Sequence, residues 1–319
     1  VMHFGVDDGT DMATANDGIL QQDEIRESLQ ICSEQLYEGL TGDIFTNSGD
    51  AMSSLCDQSE WSDASSVFIF SASDGTNGCE PWMLDQENTP VMLMDIHASG
   101  DSIPGRELGI HVVETDRGQR FFFDADDGVN GRELWVSDGT SIGTTMLGDM
   151  ESGDAIDWNS EITIWMNGVV FTTNGQQGDR MWWSNGSVTT SIWQAPWFSA
   201  SASSDLVNRS AAITSIGQGL LQGDASGLWF AAKETQIGLE MMYLDNNGTL
   251  HMFDLQPFGD SSPSRGVSVD GGYVVVASDG TGRQLAKLDH DGGYQWLTSM
   301  TKEGTLSLIH ISEPTRRST

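Results

Sequence analysis

The sequence predicts an all-β protein, a β-propeller-like repeat array of about five four-stranded blades, either closed or left open because blades are missing. The main observation is a repeat in which an aromatic strand enters a Gly/Asp/Asn turn and a second strand follows the closing glycine. Two copies are nearly complete, at 68–82 and 121–135, and three weaker copies close on Gly178, Gly238 and Gly282. The copies recur roughly every 45–60 residues, close to the period of strand-built propeller blades. The 37 glycines also fit a protein with many turns.

Residues 1–40 differ from the repeats and are predicted to be the remnant of a small acidic module. The segment 16–25 resembles the end of an EF-hand calcium loop, with Asp17 and Glu24 at the positions of two ligands. Ala13 and Ala15 stand where two further ligands would be, and alanine side chains cannot bind a cation. Apolar residues at helical spacing follow, so a short amphipathic helix is expected there.

Residues 41–65 are rich in Ser, Asp and Gly and are predicted to be a linker. The repeat domain is expected to cover 66–305. Its second repeat is the clearest, with strands predicted at 110–114, 120–125, 133–137 and 143–149. Short β-rich runs bounded by Gly, Asn and Asp are hairpin signals, and four antiparallel strands make one blade. A shared phrase at 95–102, 149–155 and 254–261 is expected to cross to the next blade.

The second repeat contains the run Glu133-Leu134-Trp135-Val136-Ser137-Asp138-Gly139-Thr140, followed by Gly143-Thr144. This run resembles the motif of the Glu-Leu-Trp-x-x-Asp-Gly-Thr (ELWxxDGT) repeat proteins. The resemblance is strong over 66–160 and loose over 165–300, where the Glu, Trp and Asp-Gly-Thr positions drift. It implies a secreted or cell-surface repeat protein and brings no catalytic residues with it.

Residues 306–319 are expected to be an artefact tail, because 306–316 look like the translation of an adapter used in sequencing libraries. A segment that derives from an adapter does not belong to the fold of the natural protein, so no role is assigned to its residues. The natural, metagenomic protein would then continue past about Thr305. A natural, poorly ordered tail is the alternative.

The formal charge of −33, from 47 acidic and 14 basic residues, excludes nucleic acid and anionic lipid as partners. No apolar run approaches the ~18–20 residues of a membrane span. The sequence shows no signal peptide, but the resemblance implies an extracellular or cell-surface location. In such a compartment Cys56 and Cys79 are expected to form a disulfide, with Cys32 unpaired; pairing of Cys32 with Cys56 is the alternative.

The turn 124–131 contains Asp124, Asp126 and Asn130, which place oxygen atoms at alternate positions, as calcium sites do. Ca²⁺ is therefore the one cofactor that the sequence proposes. Turn chemistry is the competing interpretation, because Asp and Asn side chains also accept main-chain hydrogen bonds and Gly supplies positive φ. The acids Glu80, Glu133 and Glu240 recur once per repeat, whereas an active site is built once, so they are expected to be structural.

The leading functional hypothesis is an extracellular, non-catalytic binding or scaffold propeller whose ligand is a glycan or a protein. Two alternatives stay open: a secreted hydrolase or lyase acting on polysaccharide, and a purely structural cell-surface module. Specificity is expected on residues that vary between blades. The best such segment is the insertion 193–223, with Trp193, Trp197 and Phe198 as ligand-binding residues. Aromatic side chains on a loop are a common binding surface, although they also cover blade edges.

Overall fold

The structure, a computed structural model, describes residues 68–84, 90–175, 178–192, 213–217, 219–300 and 306–308. These residues are almost entirely strands and turns, in agreement with the predicted all-β class. Among them there is no α-helix, and hence none long and apolar enough to cross a membrane. The predicted module at 1–40 and the linker at 41–65 lie outside the described residues.

The strands form successive antiparallel sheets, and each sheet corresponds to one predicted blade. The first sheet has three described strands, in the order β1 (Phe68–Ser73), β2 (Cys79–Leu84) and β3 (Pro90–Met92). The second has four, in the order β4 (Ile110–Thr115), β5 (Gly118–Asp126), β6 (Arg132–Ser137) and β7 (Thr145–Met146). The predicted strands of the second repeat are thus confirmed to within a few residues, except that the outer one is shorter.

The third sheet also has four strands, in the spatial order β11 (Thr189–Ser191), β10 (Gly178–Ser184), β9 (Gly168–Gly175) and β8 (Ile162–Trp165). The fourth has five strands, because its first strand is split into β12 (Ile213–Ile216) and β13 (Gln222–Gly223). Both pieces pair with β14 (Gly227–Glu234), which is followed by β15 (Gly238–Asp245) and β16 (Leu250–Phe253).

The fifth sheet has the order β17 (Val267–Val269), β18 (Gly272–Ser278), β19 (Arg283–Asp289) and β20 (Tyr294–Trp296). A two-stranded pairing of β21 (Thr298–Met300) with β22 (Leu306–Leu308) ends the described part of the chain. The strand β22 falls within the predicted artefact tail. The origin of that tail stays a prediction.

Four apolar clusters each lie between two consecutive sheets, so a central sheet is buried on both faces, and a fifth lies on the other face of the first sheet. The run Phe121-Phe122-Phe123 lies in such a central sheet. Phe121 and Phe123 pack toward the first sheet, and Phe122 packs toward the third. Successive side chains of a strand point to opposite faces, and both faces here need large apolar groups. All three rings are 0–1% exposed.

The connector between consecutive sheets is hydrogen-bonded to both of them. Ser102 of the first connector donates its main-chain N–H to the Cys79 carbonyl at 3.0 Å and accepts from the Asp126 N–H at 3.0 Å. Ala155 does the same between Arg132 and Asn174, and Ser261 between Leu239 and Ser278. These three residues end the shared phrases, so the prediction that the phrase crosses to the next blade is confirmed.

Candidate functional site

The recurring acids are buried and hydrogen-bonded within the fold. Glu80, Glu133 and Glu240 are completely buried, and each lies opposite an alanine on the neighbouring strand. The small partner leaves room for the carboxylate, which accepts hydrogen bonds from its own connector. In the first sheet, the oxygens of Glu80 accept from the Ile96 N–H at 2.8 Å and from the Ser102 hydroxyl at 2.8 Å. In the fourth, Glu240 accepts from the N–H groups of Leu255 and Ser261.

Burial raises the pKa of all three carboxyls, because the charged form loses its hydration. The pKa of Glu240 rises to about 7 and that of Glu133 to about 8. Glu133 has the weakest support: it accepts from the Met150 N–H at 3.3 Å and from the Glu151 main chain, and its Oε1 has no donor among the described residues. Asp149 and Glu151 add negative charge nearby. These groups hold the connectors in place.

The side chains predicted to bind calcium in the 124–131 turn are bonded to protein groups. Asp124 is completely buried and accepts a 2.6 Å charge-assisted bond from Arg132, together with the main-chain N–H groups of Glu107 and Leu108. Asp126 accepts from the Gly128 N–H at 2.7 Å, and the Asn130 amide donates to Asp127 at 2.7 Å.

These contacts are those of a tight turn, in which a short polar side chain replaces a main-chain acceptor. The same Asx contacts recur at Asp74 in the first sheet and at Asp279 in the fifth. Within the described ranges, no group of three His, Cys, Asp or Glu residues has metal-binding geometry. Calcium binding stays a prediction.

Several other predicted site residues lie outside the described residues: Asp17, Glu24, Cys56, Trp193, Trp197 and Phe198. Cys79, in contrast, is described and is disulfide-bonded. Its partner is not among the described residues, so the pairing with Cys56 stays a prediction. The bond itself is typical of an oxidising compartment.

A serine, a histidine and an aspartate lie together between the fourth and fifth sheets. The Ser226 hydroxyl is 2.5 Å from Oδ1 of Asp224 and 3.1 Å from Nε2 of His290. In a nucleophilic triad the carboxylate orients the histidine, whereas here it holds the serine itself. The Asp224 carboxylate also fixes the turn that precedes β14, because it accepts the main-chain N–H groups of Ser226 and Gly227. The arrangement is therefore a structural turn.

A concave polar surface lies between the third and fourth sheets, at the end of the blades where the connectors run. It is shallow and open to solvent, with enclosed room for about one water molecule. We call it the 3–4 pocket, and it is lined by Asn159, Glu161, Thr172, Thr173, Asn174, Asp179, Ile216 and Gly217. Most of these residues carry side-chain oxygen or amide groups, and the lining contains no lysine or arginine.

The interrupted first strand of the fourth sheet creates this pocket. Glu161 bridges the interruption: its two carboxylate oxygens accept the main-chain N–H groups of Gly219 at 2.5 Å and Leu221 at 2.9 Å. The strand is therefore interrupted after Ile216, and the N–H groups of Gly219 and Leu221 are hydrogen-bonded to Glu161 instead of to a neighbouring strand. On the other side, Thr173 at the end of β9 accepts a bond from the Trp182 indole at 3.1 Å. The pocket walls are therefore fixed by bonds within and between the sheets.

Asp179 is the second acid of the pocket lining. Burial raises the pKa of Asp179, a hydrogen bond from the Ile216 main chain opposes this shift, and the negative charge of Asp157 adds to it. Asp157 is itself held in place, since its oxygens accept from the Asn159 N–H at 2.9 Å and the Asn174 amide at 2.8 Å.

Trp158 directly precedes the pocket residue Asn159 in the second connector. Its side chain is 80% exposed, which is unusual for the largest apolar residue. The other connectors have Gly105 and Ser264 at about this place in their sequence. Sequence analysis did not single out Trp158, although the signal was present: a tryptophan inside a variable, polar connector. The predicted insertion 193–223 contains β12 and β13, which belong to the fourth sheet, and β12 supplies Ile216 to the pocket.

No protein-family profile and no curated protein sequence matches the chain. Solved structures do match. TolB from Acinetobacter baumannii shares 13% identity at a TM-score of 0.35, with 74% of this chain and 52% of TolB covered. Dipeptidyl peptidase 4 of Porphyromonas gingivalis shares 13% identity at a TM-score of 0.45, with 76% and 39% covered. The six-bladed β-propeller lectin of Aleuria aurantia shares 13% identity at a TM-score of 0.33, with 79% and 78% covered. The chain thus spans about half of TolB and less of the peptidase.

Proposed function

We propose that this chain is an extracellular, non-catalytic binding protein with a β-propeller-like fold, and that its ligand is a glycan held at the 3–4 pocket. The observation that carries the proposal is the combination of this polar pocket with the exposed Trp158, which directly precedes the pocket residue Asn159 in the chain. Sugar rings present apolar C–H faces and a rim of hydroxyl groups. An exposed aromatic face and a few fixed carboxylate, amide and hydroxyl groups match both features.

The hydrogen bonds that the reactive side chains make within the fold support the non-catalytic part of the proposal. The recurring acids accept bonds from the connectors, and the Ser226 hydroxyl is bonded to Asp224. In the pocket, both oxygens of Glu161 accept main-chain N–H groups. A hydrolase would need a second carboxylate that is free to act on a bond beside the first. The extracellular part is supported by the disulfide at Cys79.

The test is a glycan and polysaccharide array probed with the full chain and with Trp158→Ala. We expect binding to at least one class of glycan, weakened by roughly tenfold or more in the variant, since a truncated aromatic anchor costs about 1–2 kcal/mol or more. Phe258→Ala is the matched control, because Phe258 is a fully exposed aromatic residue in the connector after the fourth sheet.

Two outcomes would overturn the proposal. The first is that the wild-type chain binds no glycan on the array. The second is that Phe258→Ala and Trp158→Ala weaken binding equally, which would move the ligand away from the 3–4 pocket. A Trp193→Ala/Trp197→Ala double variant shows whether the predicted aromatic insertion contributes as well. Release of product sugars by the wild-type chain would contradict the non-catalytic assignment.

A further inference from the structure

We propose that Asn247 is an N-glycosylation site, at which the folded chain accepts an oligosaccharide on the side-chain nitrogen. The run Asn247-Gly248-Thr249 matches the acceptor sequon Asn-x-Ser/Thr and lies in the turn between β15 and β16. The inference goes beyond the proposed function, because this glycan is attached covalently. The turn is also remote from the 3–4 pocket: the connector residue Ser261 is bonded to Leu239, at the other end of β15.

The main chain of this turn is fixed without the Asn247 side chain. Oδ1 of Asp245 accepts the N–H groups of Asn247 at 2.9 Å and of Thr249 at 2.7 Å. The Asp245 carbonyl accepts the Gly248 N–H at 3.0 Å, and Gly248 has the positive φ of +84° that a tight turn favours. Modification of the Asn247 amide therefore leaves the bonds that form the turn intact.

The two side chains that the sequon requires are available to an enzyme. Asn247 and Thr249 are both exposed, and the Asn247 amide and the Thr249 hydroxyl make no hydrogen bond to the described part of the chain. The neighbouring Asn246 differs, because its amide accepts from the Trp165 indole at 3.0 Å and donates to the Ala225 carbonyl at 2.9 Å. Only the second asparagine of this turn thus presents an unbonded amide.

A second sequon, Asn185-Gly186-Ser187, lies in the turn between β10 and β11 and provides the contrast. There Oδ1 of Asn185 accepts the N–H groups of Ser187 and Val188, each at 3.0 Å, so the asparagine itself forms the turn. The Ser187 hydroxyl accepts from the Arg117 guanidinium at 3.0 Å. Both side chains of this sequon are engaged, and we expect little transfer to it in the folded chain. The third sequon, 208–210, lies outside the described residues.

The reaction is the transfer of an oligosaccharide from a lipid diphosphate donor. A bond forms between Nδ2 of Asn247 and the anomeric carbon of the first sugar, and the bond from that carbon to the diphosphate oxygen breaks. The lipid diphosphate leaves with the bonding electron pair, and the amide nitrogen gives up one proton. This modification belongs to exported chains, and the disulfide at Cys79 is typical of the same oxidising route.

Transfer in vitro by a single-subunit oligosaccharyltransferase that recognises Asn-x-Ser/Thr tests the proposal, with a lipid-linked oligosaccharide as donor. The acceptor is the full chain carrying Asn208→Gln and Ser187→Thr, which leaves two sequons that both end in threonine. In the folded chain, the initial rate at Asn247 should exceed the rate at Asn185 by about tenfold or more, because transfer to Asn185 requires its turn bonds to open. Synthetic peptides 241–253 and 181–193, the latter with the same threonine, lack these turns and should differ by less than about threefold.

The product is identified by the mass of the glycan on each peptide, because Asn-Gly pairs also deamidate spontaneously. Asn247→Gln and Thr249→Ala should each abolish transfer at this site, and Thr249→Ser should restore it. Transfer to the 241–253 peptide but not to Asn247 of the folded chain would overturn the proposal, as would equal rates at the two sites of the folded chain. It also fails if neither the chain nor this peptide is modified while a standard sequon peptide is.

Discussion

Replacing Ala155 by serine should stabilise the protein in neutral and alkaline solution, because it restores a hydrogen-bond donor to the buried Glu133. In the first sheet the equivalent connector residue is Ser102, whose hydroxyl lies 2.8 Å from the Glu80 carboxylate. In the fourth sheet it is Ser261, which also bonds the local glutamate. Ala155 occupies the same place in the second connector, with the same main-chain bonds but no hydroxyl. Glu133 Oε1 is left without a donor among the described residues.

The magnitude follows from the energy of the added hydrogen bond. The pKa is about 8 for Glu133, which lacks the serine and lies near Asp149 and Glu151, and about 7 for Glu240, which has the serine. A hydrogen bond to a charged group contributes about 1.5–3 kcal/mol, so Ala155→Ser should raise the free energy of unfolding by about 1–2 kcal/mol at pH 8.5. The sign follows from linkage. The folded-state pKa of Glu133 lies above the unfolded value of 4.5, so the folded state binds the extra proton between these values.

Stability is therefore highest below the unfolded pKa and falls as the pH rises through about 8, and serine should reduce that fall. Urea unfolding at pH 5 and pH 8.5 measures the effect, with a clearly larger gain expected at the higher pH. Ala277→Ser is the control: Ala277 is equally buried, and there the added hydroxyl should cost about 1–3 kcal/mol at both pH values. A loss of stability in Ala155→Ser at pH 8.5, or the same gain at both pH values, would refute the reasoning.

Three further predictions concern turns and cross-links. Gly131→Ala should lower the free energy of unfolding by about 2–4 kcal/mol, because Gly131 has φ of +89° and an added Cβ would lie 2.7 Å from the Asp154 nitrogen. Gly118 has a similar φ but open space around it, so Gly118→Ala should lower the same free energy by about 1 kcal/mol in urea unfolding. Millimolar Ca²⁺ and chelator should give equal melting temperatures; a calcium-dependent rise that Asp126→Ala abolishes would contradict the turn interpretation. Peptide mapping without reduction should link Cys79 to Cys56, and a link to the other cysteine would disprove this pairing.

Much of the fold could be predicted because the repeat carries local signals. The Asp-Gly-Thr turn is one: Oδ1 of Asp138 accepts both the N–H and the hydroxyl of Thr140, and Gly139 has φ of +85°. Such contacts involve residues close in sequence, so the motif alone specifies them. The run of phenylalanines at 121–123 likewise indicated a strand, although its burial on both faces and its partner sheets were not identified from the run itself.

The 3–4 pocket could not be predicted in the same way. It depends on the interruption between β12 and β13 and on Glu161, a residue of another sheet, reaching across to Gly219 and Leu221. Contacts of this kind join residues about 60 positions apart, and they produce no periodic pattern in the sequence. The sequence emphasised the Asp-rich turn at Asp124 instead. There the residue that the sequence did not indicate is Arg132, whose guanidinium is bonded to the buried carboxylate of Asp124.

The connectors have a consequence for how the chain acquires its structure. Three of them, among the described residues, are hydrogen-bonded to the sheet before and to the sheet after, through Ser102, Ala155 and Ser261. A nascent chain that emerges from the ribosome can therefore fasten each sheet to its predecessor as soon as the connector and the next strand pair are out. Assembly then proceeds from the N-terminal side by repeated short-range docking. At every stage the growing end has a single unpaired apolar face, and the next sheet to be synthesised is the one that covers it.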